Sequence, residues 1–217
     1  MGYFISIEGI DGSGKTTQAK KLASYLEAEG FDCLALREPG GTAISEQIRA
    51  ILLNPENEEL SDVCEMLLME SSRAQLVDEL ILPALDEGKV VICDRYADST
   101  YAYQHGGRGL DSEMVLASNE IATGGLKPDL SIYLDILPEL AYERAIAGGK
   151  DRLEEAGFAF QKRVYAAYED LLERESERFV RIDATVDEET IFAQIKGIID
   201  ERLFSCLEEE SEHEHEH

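Results

Sequence analysis

Residues Gly9 to Thr16 read Gly-Ile-Asp-Gly-Ser-Gly-Lys-Thr, directly after the apolar run Tyr3-Phe4-Ile5-Ser6-Ile7 and directly before a helical pattern. Three glycines let a chain wrap an anion without Cβ clashes, so successive backbone N–H groups point inward. A helix starting near Lys15 adds its positive dipole end. Lys15 has the reach for β- and γ-phosphates, and the Thr16 hydroxyl suits Mg²⁺. Thr17 continues the loop's polar face. The implied chemistry is binding of a nucleoside triphosphate; the loop alone does not say what receives the phosphate.

Further groups of chemical interest follow short apolar runs. Asp11 sits inside the loop, where a carboxylate opposes phosphate binding and makes sense if it serves a metal, a second substrate or a turn of its own backbone. Arg37-Glu38-Pro39-Gly40-Gly41-Thr42 is either a turn closed by an Arg37–Glu38 pair or one wall of a pocket. In Asp94-Arg95-Tyr96, the Arg95 fork suits bidentate recognition of a phosphate. Asp94 is a candidate for Mg²⁺, for a sugar hydroxyl or for an ion pair with Arg95. Arg73 lies in a helical pattern and needs a partner or a solvated face. Arg108, between glycines, is read as folding over an anion or as a mobile surface loop. Asp151-Arg152 follows Gly148-Gly149-Lys150, glycines beside cations as in a hinge that closes over a transferring phosphoryl group.

The elements that must position these groups alternate. Strands are expected at residues 3–7, 31–36, 90–93, 130–134 and 179–182. Helices are expected from Lys15 to Gly30, at 44–53, at 60–85 with a break near Pro83, at 112–122, from Pro138 to Gly148, at 154–178 and at 188–207. Residues 106–109 read as a glycine-rich loop. Alternation from end to end implies a mostly parallel sheet with helices on both faces, hence an α/β three-layer α/β/α architecture around a five-stranded parallel sheet. Ligands in such folds gather at the carboxyl ends of the strands, which is where these residues fall. No repeat or linker divides the chain, so residues 1–207 form a single domain with a short lid at about 147–157. Residues 208–217, almost wholly Glu and His, read as a disordered or appended tail.

The 217 residues carry a formal net charge of −26. That argues against a general nucleic-acid binder, which needs a basic surface, and suits a salty cytoplasm. The four cysteines, Cys33, Cys64, Cys93 and Cys206, are scattered, which favours a reducing compartment and hence the cytoplasm. No apolar run has the length of a membrane span, and a strand within three residues of Met1 leaves no room for a signal peptide.

Taken together, the series resembles the thymidylate kinase family, in the nucleoside-monophosphate kinase group of P-loop proteins. It consists of Ile7 to Thr17, Arg37 to Thr42, Asp94-Arg95-Tyr96 with Ser99-Thr100 and Tyr103-Gln104, Gly106 to Gly109, Pro128-Asp129-Leu130 with Tyr133-Leu134-Asp135, Asp151-Arg152, and Ile182 to Thr185, in the family's order. The resemblance implies a P-loop NTPase fold, ATP and dTMP as substrates, Mg²⁺ as cofactor and a homodimer. It implies that Gly9, Ile10, Asp11, Gly12, Ser13, Gly14, Lys15, Thr16 and Thr17 hold the ATP phosphates, with Arg144, Asp183 and Thr185 beside the adenine. Arg95 would grip the dTMP phosphate and Arg73 the thymine, with Thr100. Tyr103 would lie under the deoxyribose, Asp11 beside its 3′-hydroxyl or a metal, and Glu38, Ser99 and Gln104 in the same pocket. Thr16 and Asp94 would serve the metal. Lys15, Arg95, Asp11 and Arg152 are the expected catalytic groups. The loop has Ser13 where some members carry arginine, so the transition-state cation would be Arg152 of the lid, helped by Lys150. Met69 stands where the family usually has a phenylalanine that stacks on thymine. Other readings remain: a kinase of another nucleotide or nucleoside, or a non-catalytic nucleotide-binding switch, although the Asn-Lys-x-Asp base-reading motif of GTPase switches does not occur.

Overall fold

A computed structural model describes residues 2–146 and 157–214. Five strands form one parallel sheet: β1 (Tyr3–Glu8), β2 (Cys33–Arg37), β3 (Val90–Asp94), β4 (Leu130–Asp135) and β5 (Phe179–Asp183), in the order β2-β3-β1-β4-β5. The five expected strands are all present, each within two residues of its expected ends. β1 and β3 pair with Ile7 opposite Asp94, and β1 and β4 with Ile7 opposite Ile132. The loop after β1 and the arginine after β3 therefore leave the sheet side by side.

Alternation along the buried strands makes the layers. Ile5 and Ile7 of β1, with Val90 and Ile92 of β3, face a core shared with Leu22 of α1 (Lys15–Ala28), Tyr168 of α8 (Phe158–Arg174) and Ile195 of α9 (Glu188–Glu214). Phe4, Val91 and Cys93 face the other way, onto Leu76, Val77, Ile81 and Ala84. Side chains of period two on strands buried on both sides require helices above and below. The three-layer architecture follows.

The remaining helices are α2 (Ala43–Leu53), α3 (Asp62–Leu76), α4 (Leu82–Asp86), the single turn α5 (Ala97–Thr100), α6 (Ser112–Thr123) and α7 (Pro138–Ile146). Thr42, Ser61 and Asp111 cap α2, α3 and α6, each accepting a hydrogen bond from a backbone N–H three residues on.

Two expectations are corrected. The chain does not break at Pro83. It stays helical, and the irregularity lies just before, where Val77–Ile81 is π-helical. Proline lacks an N–H and crowds the carbonyl four residues back, so a widened turn ahead of it accommodates both. Residues 106–109 are not simply a loop: Gly106 and Gly107 end a second π-helical segment, Tyr101–Gly107. A Cβ on Gly106 would lie 2.4 Å from Ala167 Cβ, and one on Gly107 2.4 Å from the Phe160 ring. These glycines serve close packing on α8. Elsewhere, α9 spans Glu188–Glu214. The expected lid, apart from Gly157, lies outside the described residues, as do Lys150 and Arg152.

Candidate active site

A cleft of about 350 Å³ opens at the carboxyl ends of β1, β2 and β3. The loop from Gly9 to Gly14 forms its floor, with Gly9, Gly12 and Gly14 at φ of 143°, 84° and 95°. A Cβ on Gly12 would meet the Ala141 carbonyl oxygen at 2.3 Å, so both conformation and space demand glycine there. Lys15, almost fully buried, donates Nζ to Ile10 O at 2.8 Å and Ser13 Oγ at 3.4 Å. Burial and the neighbouring Arg95 push it down to about 8. An arriving phosphate would add to the pull of Asp11, Asp94 and Glu8, which favour the charge on this ammonium. Thr16 Oγ1 donates to Asp94 Oδ2 at 2.5 Å, so the two expected metal oxygens already touch, and Thr17 lines the cleft beside them.

Arg95 is the one residue other than glycine with positive φ among the described residues, at 73°. That conformation turns its side chain back over the phosphate loop. Nη1 donates to Gly9 O at 3.0 Å and Ser99 Oγ at 3.2 Å; Nη2 donates to Tyr103 Oη at 3.0 Å and to Asp11. Asp11 also accepts from Tyr103 Oη at 2.9 Å and from Gln161 Nε2 at 3.0 Å. Burial alone would raise the Asp11 carboxyl, but Arg95 and Lys15, with these hydrogen bonds, hold it below its usual range. Asp94 and Arg95 do not bond each other: Asp94 faces Thr16 in the first turn of α1, and Arg95 faces the loop after β1.

Beneath them lies Glu8, fully buried. It accepts from Tyr96 N at 2.8 Å, Ser99 Oγ at 2.6 Å and Tyr168 Oη at 3.0 Å. Burial, with nearby Asp98, pushes it up to about 8. It braces the turn that aims Arg95.

At the far end, Arg73 is buried and fully engaged. Its Nε donates to Glu38 at 2.9 Å, Nη1 to Glu70 at 2.9 Å and Asn119 at 3.0 Å, and Nη2 to Thr100 at 2.9 Å and Glu38 at 2.7 Å. The charge expected to need a partner has several. A guanidinium has five N–H donors, so contact with a base requires Arg73 to share one. Glu38 is pushed up to about 7 by burial, against the pull of Arg73, and its Oε1 has no partner. Arg37 pairs with Glu46, at 3.0 Å, rather than with Glu38. Met69 and Gln104 complete this wall. Every residue assigned to the acceptor pocket thus lines one cleft.

Elsewhere, Arg144 donates to Ala184 O at 3.1 Å, and Asp183 accepts from Thr185 N at 2.8 Å. The three residues expected beside adenine are neighbours, outside the cleft lining. Arg108 does not float free: it turns inward to the Glu65 carboxylate at 2.9 Å.

Sequence reasoning missed several residues. Arg49 and Leu53 of α2 line the cleft. Their spacing of four on a helix that follows the Arg37-to-Thr42 turn is the signal that places them on one face. Gln161 lies 150 positions from Asp11, and no local pattern reveals it.

The family model for thymidylate kinase matches residues 7–195. The thymidylate kinase of Caldanaerobacter subterraneus subsp. tengcongensis is 50% identical over 202 residues, 93% of this chain and 97% of that one. That of Exiguobacterium sp. is 44% identical over 93% of this chain and 96% of the relative. The crystal structure of thymidylate kinase from Ehrlichia chaffeensis superposes with a TM-score of 0.77 at 28% identity, covering 91% of this chain and 98% of that one.

Proposed function

Because the chain belongs to the thymidylate kinase family, we propose that it transfers the γ-phosphoryl group of ATP to dTMP, giving ADP and dTDP for dTTP biosynthesis. The observation that carries this is the contact between Arg95 and the loop after β1: a guanidinium for one phosphate stands directly against an amide cradle for another. Lys15 and the loop amides hold the ATP phosphates, and Arg95 takes the dTMP phosphate, exchanging its bond to Asp11 for a ligand oxygen. The dTMP oxygen then attacks in line, so positioning and charge neutralisation supply the catalysis. Arg152 of the lid is the transition-state cation, with Lys150 as helper. Arg144 and the Asp183–Thr185 turn flank the adenine.

Thr16 and Asp94 offer two oxygens beside the phosphates, a donor set that suits a hard divalent ion completed by water and nucleotide. Mg²⁺ bound there would neutralise phosphate charge.

Among the described residues no helix is long and apolar enough to cross a membrane. The compartment we propose is the cytoplasm, in keeping with the free thiols Cys33, Cys64 and Cys93. The assembly we propose is a homodimer. Its support is a set of exposed apolar side chains on three neighbouring helices: Ile44 and Ile51 of α2, Val63 and Leu67 of α3, and Leu116 and Ile121 of α6.

A coupled ADP-release assay with dTMP, dUMP, dCMP, dGMP and AMP tests the reaction. dTMP is expected to give the highest kcat/KM; a wide margin for another monophosphate would overturn the substrate.

A further inference from the structure

Glu65 of α3 is fully buried, and both its oxygens are engaged. Arg108 donates Nε to Oε1 at 3.0 Å and Nη2 to Oε2 at 2.9 Å. Gln104 donates Nε2 to Oε1 at 3.0 Å. Arg108 is itself fixed, its guanidinium over the Phe160 ring at 4.9 Å. The preceding Gly107 carbonyl is clamped by Arg163 at 2.6 and 3.0 Å. Glu65 does not line the cleft, whereas Gln104 does.

The amide of Gln104 has two possible orientations, and Glu65 decides between them. A carboxylate paired with a guanidinium only accepts hydrogen bonds. The amide nitrogen must therefore face Glu65, and Oε1 is the atom left for a ligand. Thymine and uracil carry N3–H, a donor between two carbonyls; cytosine carries an acceptor at N3. An acceptor held in place meets the first and repels the second.

We infer that Glu65, gripped by Arg108, is a positioning residue that sets the Gln104 amide with its oxygen toward the acceptor base, so that the site selects a ring N–H over the N3 acceptor of cytosine. This rests on dTMP being the phosphoryl acceptor. Steady-state kinetics with dTMP and dCMP on Glu65→Gln tests it. A neutral amide at position 65 satisfies Gln104 in either orientation, so the dTMP-over-dCMP ratio of kcat/KM should fall about tenfold or more. The fall should come through the dTMP KM, with kcat at saturation within about threefold. The same substitution in a Gln104→Ala background should leave the ratio where Gln104→Ala alone puts it. Arg108→Met, which keeps Glu65 but removes its grip, should move the ratio in the same direction and serves if Glu65→Gln fails to fold. An unchanged ratio in the folded variants overturns the inference, as does an equal fall with Gln104 absent, which would mark a merely structural role. A wild-type enzyme with no dTMP-dependent turnover would instead overturn the substrate.

Discussion

Arg95 makes its bonds from a backbone conformation that an L-residue adopts at a cost. What that conformation secures is a cation pointed back at the loop after β1. Replacing it with alanine removes the guanidinium proposed to hold the acceptor's phosphate and takes from Asp11 one of its three hydrogen-bond donors. The expected effect of Arg95→Ala is a rise in dTMP KM on the order of a hundredfold, as for a charge-assisted hydrogen bond, with ATP affinity changed far less. Isothermal titration with each nucleotide separates the two; equal losses for both would refute the division of labour. Lys15→Met should abolish turnover in the ADP-release assay. Arg152→Ala should lower kcat by roughly three to five orders of magnitude if it acts like an arginine finger, and near-normal turnover would remove it from that role.

Individual elements meet at sites where a methyl group is too much. The second π-helical segment lies against α8 so closely that Gly107 abuts the Phe160 ring. Gly107→Ala should destabilise the fold by about 1–3 kcal/mol, the usual cost of overpacking. Denaturant titration reads it, and Phe160→Leu should restore part of the loss; additive losses would show that the contact is not the cause. The same segment shows where sequence legibility ends. Gly106 to Gly109 look like a loop because glycine usually marks one, but here the absent side chains admit a neighbouring helix. Likewise Pro83 signals a helix break, and nothing local shows that Val77–Ile81 absorbs the strain instead. The strands were legible because apolar runs buried on both faces leave little ambiguity. The phosphate loop and Arg95 were legible because a loop between such a strand and a helix must fall at a strand end. Glu65, 39 residues from Gln104 and 43 from Arg108, reads locally as one more acidic residue on a helix. Only the packing of three segments reveals its bonds.

Across the whole molecule, two buried carboxyls bind protons more tightly than they would in an unfolded chain: Glu8 at about 8 and Glu38 at about 7, each against an ordinary 4.5. The native state therefore holds protons that the unfolded state has released. Between pH 5 and pH 8, stability should fall as pH rises, by roughly 3 kcal/mol per unit while both groups hold their protons and roughly 1 kcal/mol per unit once Glu38 has lost its own. Urea titrations across that range should show the slope, and Glu38→Gln should about halve it below about pH 7, leaving the Glu8 contribution; a slope unaltered in that variant would assign the effect elsewhere. The exposed apolar helices act at the same scale. Leu67→Glu places a charge in their midst and should convert the proposed dimer to monomer by light scattering. A monomeric wild-type protein would refute the dimer.

β1 and β3 are paired with Ile7 opposite Asp94, so the amide cradle and the guanidinium hang from adjacent rungs, strands about 4.8 Å apart. A gap spanned by backbone hydrogen bonds behaves as a ruler. A two-headed inhibitor joining adenosine to thymidine through an oligophosphate tether should have one best tether length. Substitutions remote from those two strands and from the proposed adenine site at Arg144, Asp183 and Thr185 should change how tightly such a compound binds without changing which length binds best.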